Sequence, residues 1–120
     1  MRFAYAGTAP FAELVLEGLV ARERRPEALV TNPDRPRGRH GTPQAPRIKT
    51  LAEGLGVPVL QPDRLSDADA LAALLEYAPD VFVVCAYGQI VAQAVLDALE
   101  TIVVHPSLVP HWRGAAPVER

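Results

Sequence analysis

The run Val81–Cys85, which reads Val-Phe-Val-Val-Cys, is the stretch that decides the fold. Its unbroken apolar character is typical of a parallel strand that is buried on both faces, because helices then cover the sheet on each side. Asp80 precedes the run, and Tyr87-Gly88-Gln89 forms the turn that follows it. A doubly covered parallel strand predicts an α/β domain.

The first thirty residues support the same class of fold. A strand over 2–6, a helix over 11–24 with apolar residues at helical spacing, and a strand over 28–31 predict a βαβ unit with a right-handed crossover. The turn after the first strand contains one glycine, Gly7, and lacks the further glycines of a dinucleotide-binding fingerprint. A nicotinamide cofactor therefore has little support.

The remaining segments complete a Rossmann-like, doubly wound parallel sheet. We predict further strands at 58–60 and 102–104 and further helices at 47–56, at 90–99 and from an N-cap at Ser66 to Tyr77. Numbered along the chain, the five strands are expected in the spatial order 3-2-1-4-5. The loops after strands one, four and five would then share one crevice.

Composition narrows the class of protein. A chain of 120 residues with a net charge of −2 is one domain at most, and it has no apolar run long enough to cross a membrane. Its amino terminus lacks the features of a signal peptide, and its single cysteine, Cys85, is expected in the core. These features predict a cytoplasmic protein.

The segment 32–46 is rich in proline, glycine and arginine and has no periodicity. Residues 32–49 hold five cationic side chains against one acidic side chain, Asp34. By composition alone, two interpretations stay open: a solvated surface loop, or a loop that neutralises phosphates. The three arginines nearest its start are Arg35, Arg37 and Arg39.

The stretch 103–120 reads Val-Val-His-Pro-Ser-Leu-Val-Pro-His-Trp-Arg-Gly-Ala-Ala-Pro-Val-Glu-Arg. Pro106 ends the preceding strand, so His105 is expected at the carboxyl edge of the sheet, where open α/β sheets bind ligands. Ser107, Trp112 and Arg113 follow closely. A lone histidine at this position would more often be satisfied by a backbone carbonyl, and the whole stretch argues for a functional one.

This stretch resembles the signature of the folate-dependent formyltransferases, and Trp-Arg-Gly-Ala-Ala-Pro is most similar to the branch that acts on methionyl-tRNA. Pro-Asp-Arg-Pro followed by Gly-Arg, in the loop 32–46, resembles the tRNA-contacting insertion of that branch. The resemblance implies that residues 1–120 form the formyl-folate-binding domain. It also implies that this domain is incomplete and that the C-terminal tRNA-binding barrel is absent.

The resemblance implies formyl transfer from 10-formyltetrahydrofolate to the amino group of initiator methionyl-tRNA, by a protein that is monomeric at full length. His105 matches the catalytic histidine. The implied folate contacts are Ser107, Leu108, Val109, Pro110, Tyr87, Gly88 and Gln89, and the implied tRNA contacts are Arg35, Arg37 and Arg39. No metal is expected, because His40, His105 and His111 lack ligand spacing with acidic or cysteine partners.

Two departures from the family pattern keep alternatives open. The family has Asn-Val-His where this chain has Val103-Val104-His105, so the residue that donates to the oxyanion is replaced by valine. The family's orienting aspartate lies further downstream than Arg120. One alternative is a folate- or RNA-binding remnant without activity. Another is a formyltransferase that acts on a sugar nucleotide or a purine precursor.

Overall fold

The computed structural model describes residues 1–36, 43–89 and 91–104. The strands are β1 (Phe3–Ala6), β2 (Leu29–Val30), β3 (Arg35–Pro36), β4 (Pro43–Gln44), β5 (Val59–Leu60), β6 (Val81–Cys85) and β7 (Glu100–Val104). The helices are α1 (Pro10–Ala21), α2 (Arg47–Gly54), α3 (Ala68–Leu75) and α4 (Gln93–Ala98). None of these helices has the length and apolar character needed to span a bilayer.

Five of the strands form one parallel sheet in the order β5-β2-β1-β6-β7. This order confirms the predicted 3-2-1-4-5 arrangement. β1 lies at the centre, with Tyr5 opposite Leu29 of β2 and Phe3 opposite Val81 of β6. The Arg2 amide beside it donates to Asp80 Oδ2 at 2.9 Å, which fixes the β1–β6 register at the amino edge.

Side chains alternate along each strand, so the sheet has a core on each face. On one face Ala4, Ala6 and Phe82 pack with residues of α3 and α4, among them Leu74 and Val95. The other face carries Tyr5, Leu29 and Cys85, which pack with residues of α1 and α2, among them Leu16 and Ile48. Cys85 is fully buried and free, as expected for a small core residue. Both faces are therefore covered, as the apolar run of β6 predicted.

The edge strand β7 is the least covered part of the described sheet. Ile102 and Val103 point to opposite faces and are 52% and 47% exposed. Their partners on β6, Val83 and Val84, are far better covered. Within the described residues, β7 therefore presents an apolar edge.

Local details differ from the predictions in several places. Helix α1 ends at Ala21 rather than at residue 24, and α4 covers Gln93–Ala98 rather than 90–99. The segment 32–46 is not wholly irregular, because Arg35–Pro36 pairs antiparallel with Pro43–Gln44 across residues outside the described part. The N-cap of α3 is Asp67 rather than Ser66, and no side chain caps its amides. Ser66 failed as a prediction because the turn before the helix is one residue longer than the cap pattern implies.

Candidate functional site

The loops after β1, β2 and β6 meet at the carboxyl edge of the sheet. The carbonyl oxygen of Ala86, directly after β6, accepts from the amides of Thr8 and Ala9 at 3.0 and 3.2 Å. These amides precede α1, whose first turn has no side-chain cap. The loop after β6 thus supplies the hydrogen-bond acceptor for the two amides just before α1. This contact fixes the position of the loop after β6 relative to the loop after β1.

Gly7 shows how closely these two loops approach. A Cβ atom added there would lie 2.5 Å from the Ala12 Cβ and 2.7 Å from the Cys85 carbonyl oxygen. Real Cβ atoms do not approach neighbours at such distances, and neither neighbour is a flexible side-chain end. The single glycine of the first turn is therefore required for packing, whatever its role toward a ligand.

Asn32, in the loop after β2, bonds to three other loops. Its amide donates to Thr8 Oγ1 at 3.2 Å, and its side-chain Nδ2 donates to the Tyr87 carbonyl oxygen at 3.0 Å. Its side-chain Oδ1 accepts from Gln89 Nε2 at 2.8 Å, and its carbonyl oxygen accepts from Gln61 Nε2 at 3.1 Å. Sequence reasoning missed this residue, because hydrogen bonds between distant loops leave no periodic pattern.

Gln89 was predicted to lie near a pterin, and its side-chain amide is engaged within the protein. Besides donating to Asn32, it accepts from the Leu65 amide at 3.2 Å through Oε1. The side chain is only partly exposed. Gln89 therefore joins the loop after β6 to the loops after β2 and β5, and this role is available before any ligand binds.

The arginine-containing segment 32–46, called the basic segment below, begins beside the same group of residues. Asp34 Oδ1 accepts from Gln61 Nε2 at 2.7 Å and lies 3.6 Å from Lys49 Nζ on α2. Lys49 belongs to α2 and Gln61 directly follows β5, and together they hold the chain where it enters β3. Among the predicted tRNA contacts, Arg35 contributes its backbone to β3, and Arg37 and Arg39 lie outside the described residues.

A cavity of about 410 Å³ opens between the ends of β6 and β7, next to α4. Its lining residues are Val84, Ala86, Tyr87, Gly88, Gln89, Val91, Leu96, Val103 and Val104. The structure thus brings the predicted folate contacts 87–89 together with Val103, the position at which the resemblance predicts an asparagine. The lining is mainly apolar, with backbone groups and one amide side chain as its polar components.

Tyr87 contributes a buried hydroxyl to this region. The residue is 2% exposed, and its Oη has no hydrogen-bond partner among the described residues. Burial raises the pKa of Tyr87 to about 12, so the hydroxyl stays neutral at physiological pH. Tyr5 on the opposite face differs, because its hydroxyl donates to the Ala12 carbonyl oxygen at 2.8 Å. Burial, with a smaller contribution from Cys85, raises the pKa of Tyr5 as well.

A second cavity, of about 550 Å³, lies at the other end of the sheet edge, between β5 and α3. Asp63, Asp67 and Asp69 are among its lining residues. Within residues 1–36, 43–89 and 91–104, no three histidine, cysteine or acidic side chains are grouped as metal ligands would be. Sequence analysis did not predict this cavity.

The other predicted site residues lie outside the described part of the chain. These are His105, Ser107, Leu108, Val109 and Pro110. Val104, which immediately precedes His105, is the last described residue and lines the 410 Å³ cavity. The roles of these five residues stay predictions.

Comparison with known proteins adds a family match over the whole chain, because residues 1–120 match the family described as formyl transferase. Three similar relatives are named methionyl-tRNA formyltransferase. The protein from Thiobacillus denitrificans is 48% identical over 100% of this chain and 40% of its own length. Those from Pseudomonas paraeruginosa and Desulfotalea psychrophila are 47% and 45% identical, over 100% and 99% of this chain and 39% and 38% of their own lengths. The chain thus spans about two fifths of these relatives.

Proposed function

Because this chain belongs to the formyl transferase family, we propose that it supplies the formyl-donor site of an enzyme that formylates methionyl-tRNA. The acceptor class, methionyl-tRNA, is the one that the names of the relatives print. From the resemblance of the sequence to the family, we assign 10-formyltetrahydrofolate as the donor and the amino group of initiator methionyl-tRNA as the acceptor. The observation that carries the proposal is the 410 Å³ cavity, which brings residues 87–89 together with Val103. Val103 lies two residues before His105 in the sequence.

The cavity suits one end of a folate. A pterin is a flat ring whose edge carries hydrogen-bonding groups, and such ligands favour apolar pockets with a few fixed polar groups. Val84, Val91 and Leu96 supply apolar walls, while the backbone near Gly88 supplies polar groups. Gly88 has a φ of +89°, which a residue with a side chain adopts only with strain, so the loop is shaped by glycine.

The proposed reaction needs proton transfers and charge stabilisation. The amine of methionyl-tRNA attacks the formyl carbon, a tetrahedral oxyanion forms, and N10 of the folate leaves after it gains a proton. We assign proton transfer to His105, since imidazole titrates near neutral pH. Ser107, Leu108, Val109 and Pro110 are assigned to folate contacts, with residues 87–89 on the pterin side.

Val103 bears directly on the rate. Its side chain lines the cavity but has no donor for the developing oxyanion. Loss of one oxyanion donor lowers a rate by roughly a hundred- to a thousandfold. This observation favours a second candidate function, a protein that binds folate and tRNA while transferring the formyl group slowly or not at all.

The acceptor side is assigned to the basic segment. Arg35, Arg37 and Arg39 would neutralise phosphates near the acceptor end of the tRNA, because guanidinium groups bind phosphate oxygens strongly. The anchoring of Asp34 by Gln61 and Lys49 supports this role, since it fixes where the segment leaves the sheet. A cytoplasmic location and a monomeric state at full length remain predictions.

The test uses the protein as its source makes it. Purified protein is mixed with 10-formyltetrahydrofolate and, in separate reactions, with methionyl-tRNA, an amino-sugar nucleotide or glycinamide ribonucleotide, and formylated product is quantified. We expect product with methionyl-tRNA alone. Product with another acceptor would reassign the substrate. Folate binding without product would support the binding candidate, and absence of folate binding would contradict both.

A further inference from the structure

Asn32 occupies the point where the two proposed substrate-binding regions touch. Its side chain contacts the loop after β6 twice, through the Tyr87 carbonyl oxygen and through Gln89 Nε2. A Cβ atom added at Gly88 would lie 3.4 Å from Asn32 Nδ2, so the backbone of that loop also packs against the amide. The Asn32 side chain is therefore one of the groups that hold the loop lining the cavity, beside the Thr8 and Ala9 amides and the Leu65 amide.

The backbone of Asn32 leads in the other direction, into the basic segment. Gln61 Nε2 donates both to the Asn32 carbonyl oxygen and to Asp34 Oδ1, which lies one residue before Arg35. The Asn32 amide is held by Thr8 Oγ1, which is in turn 3.0 Å from Thr31 Oγ1. A short series of hydrogen bonds thus connects the loop after β6 to the start of the basic segment, so a displacement of the loop would be felt there.

We propose that Asn32 is a positioning residue that couples occupation of the folate cavity to binding of the tRNA by the basic segment. This inference rests on the proposed function and adds to it an energetic link between the two sites. A ligand against Gly88 would fix the loop after β6, and Asn32 would transfer that constraint to the chain that enters β3. Because coupling between binding sites is reciprocal, bound tRNA would strengthen folate binding by the same factor.

Three variants separate the contacts. Asn32→Ala removes both side-chain contacts to the loop after β6. Asn32→Asp keeps an oxygen for Gln89 but loses the donor to the Tyr87 carbonyl, and Gln89→Ala removes only its own contacts. Gln93→Ala is the matched control, because it deletes the same type of side chain from an exposed hydrogen bond to Asp97 within α4.

The measurement is the dissociation constant of methionyl-tRNA, with and without saturating tetrahydrofolate, which lacks the formyl group and so permits no transfer. For the unaltered protein and Gln93→Ala we expect tetrahydrofolate to tighten tRNA binding about fivefold or more, the lower range of site coupling. For Asn32→Ala and Gln89→Ala we expect a ratio near one. Asn32→Asp is expected between these values.

Two results would overturn the inference. One is a ratio of one in the unaltered protein although both ligands bind. The other is an unchanged ratio in Asn32→Ala and Gln89→Ala, which would make the hydrogen bonds purely structural. Failure of the unaltered protein to bind tetrahydrofolate at all would instead refute the proposed function, and this coupling with it. The folate titration without tRNA therefore distinguishes the two failures.

Discussion

The carboxyl edge of the sheet has two unlike halves. In the polar half, formed by the loops after β1, β2 and β5, the side-chain amides of Asn32 and Gln61 bond to protein groups, and the amide of Gln89 reaches them from the loop after β6. In the apolar half, at the ends of β6 and β7, the Tyr87 hydroxyl has no described partner and Val103 is 47% exposed. The amide side chains of the polar half are thus paired within the chain, whereas the apolar half exposes an apolar side chain at the 410 Å³ cavity.

The largest expected effect is a gain in the apolar half. Val103→Asn introduces a donor into the cavity, and we expect the formylation rate to rise by roughly a hundred- to a thousandfold. Ile102→Asn is the matched control, because the neighbouring side chain points to the opposite face and lies outside the cavity lining. Single-turnover formylation of methionyl-tRNA measures both variants. Equal rates for Val103→Asn and the unaltered protein would show that position 103 does not contact the oxyanion.

The next largest expected effect is a loss of stability from a substitution at Gly7, where the loops of the two halves meet. Gly7→Ala places a Cβ against Ala12 and the Cys85 carbonyl, and we expect it to lower the free energy of unfolding by about 2–3 kcal/mol. Gly54→Ala, in α2, has open space around the added atom and is expected to raise it by about 0.5–1 kcal/mol. Urea denaturation measures both. A Gly7→Ala protein as stable as the unaltered one would mean that the two loops separate easily.

Substitution of the two buried tyrosines, Tyr87 and Tyr5, tests whether the Tyr87 hydroxyl lacks a hydrogen bond in the folded protein. Tyr87→Phe removes a hydroxyl that has no hydrogen-bond partner among the described residues, and we expect it to raise the free energy of unfolding by about 1–3 kcal/mol. Tyr5→Phe removes a hydrogen bond to Ala12 and is expected to lower it by about 1 kcal/mol. Thermal and urea denaturation without ligand give the comparison. A loss of stability in both variants would indicate that the Tyr87 hydroxyl is bonded in solution.

The same hydroxyl predicts a dependence on alkaline pH. The pKa of Tyr87 is raised to about 12, so ionisation favours the unfolded chain, whose tyrosines titrate near 10. The contribution is complete below pH 10 and is lost as the pH rises from 10 to 12, at about 1.4 kcal/mol per pH unit. Over that range Tyr87→Phe is expected to lose less stability than the unaltered protein. Parallel curves would contradict the raised pKa.

The smallest effect concerns the residue shared by both halves. Ala86 has a φ of 52°, accepts two hydrogen bonds from the start of α1 and lines the cavity. Ala86→Gly relieves the left-handed strain, and we expect a gain of about 0.5–1 kcal/mol in the free energy of unfolding. Ala72→Gly on the exposed side of α3 is the control, with an expected loss of similar size. A loss in Ala86→Gly would show that flexibility outweighs the strain.

The predictions from sequence were most successful for elements whose burial gives a regular pattern of apolar residues. The apolar run of β6 and the order of the five parallel strands were predicted because each strand is a separate apolar segment with helices between. The predicted crevice between the loops after strands one, four and five is found only in part. The 410 Å³ cavity is lined by the loop after β6 and the end of β7, but among the described residues none of the loop after β1 lines it.

The polar half was not predicted, for a physical reason. The bond between Asn32 and Gln89 joins loops that are 57 residues apart, and its donors and acceptors are common side chains without periodic spacing. The pairing of Arg35–Pro36 with Pro43–Gln44 was missed as well, because proline and arginine have little strand propensity. Such contacts depend on which loops the fold brings close together, and the composition of each loop does not indicate this.

The central position of β1 has a consequence for how the protein is made. β1 can pair with β2 once about thirty residues exist, but its other neighbour, β6, begins at Val81. At synthesis rates of about 5–20 residues per second, the first strand spends several seconds on the ribosome with one edge unpaired. Its future core residues Ala4, Tyr5 and Ala6 are exposed during that time. The nascent β1 segment is therefore open to chaperones during this interval, and synonymous codons that slow translation between residues 31 and 80 would prolong it.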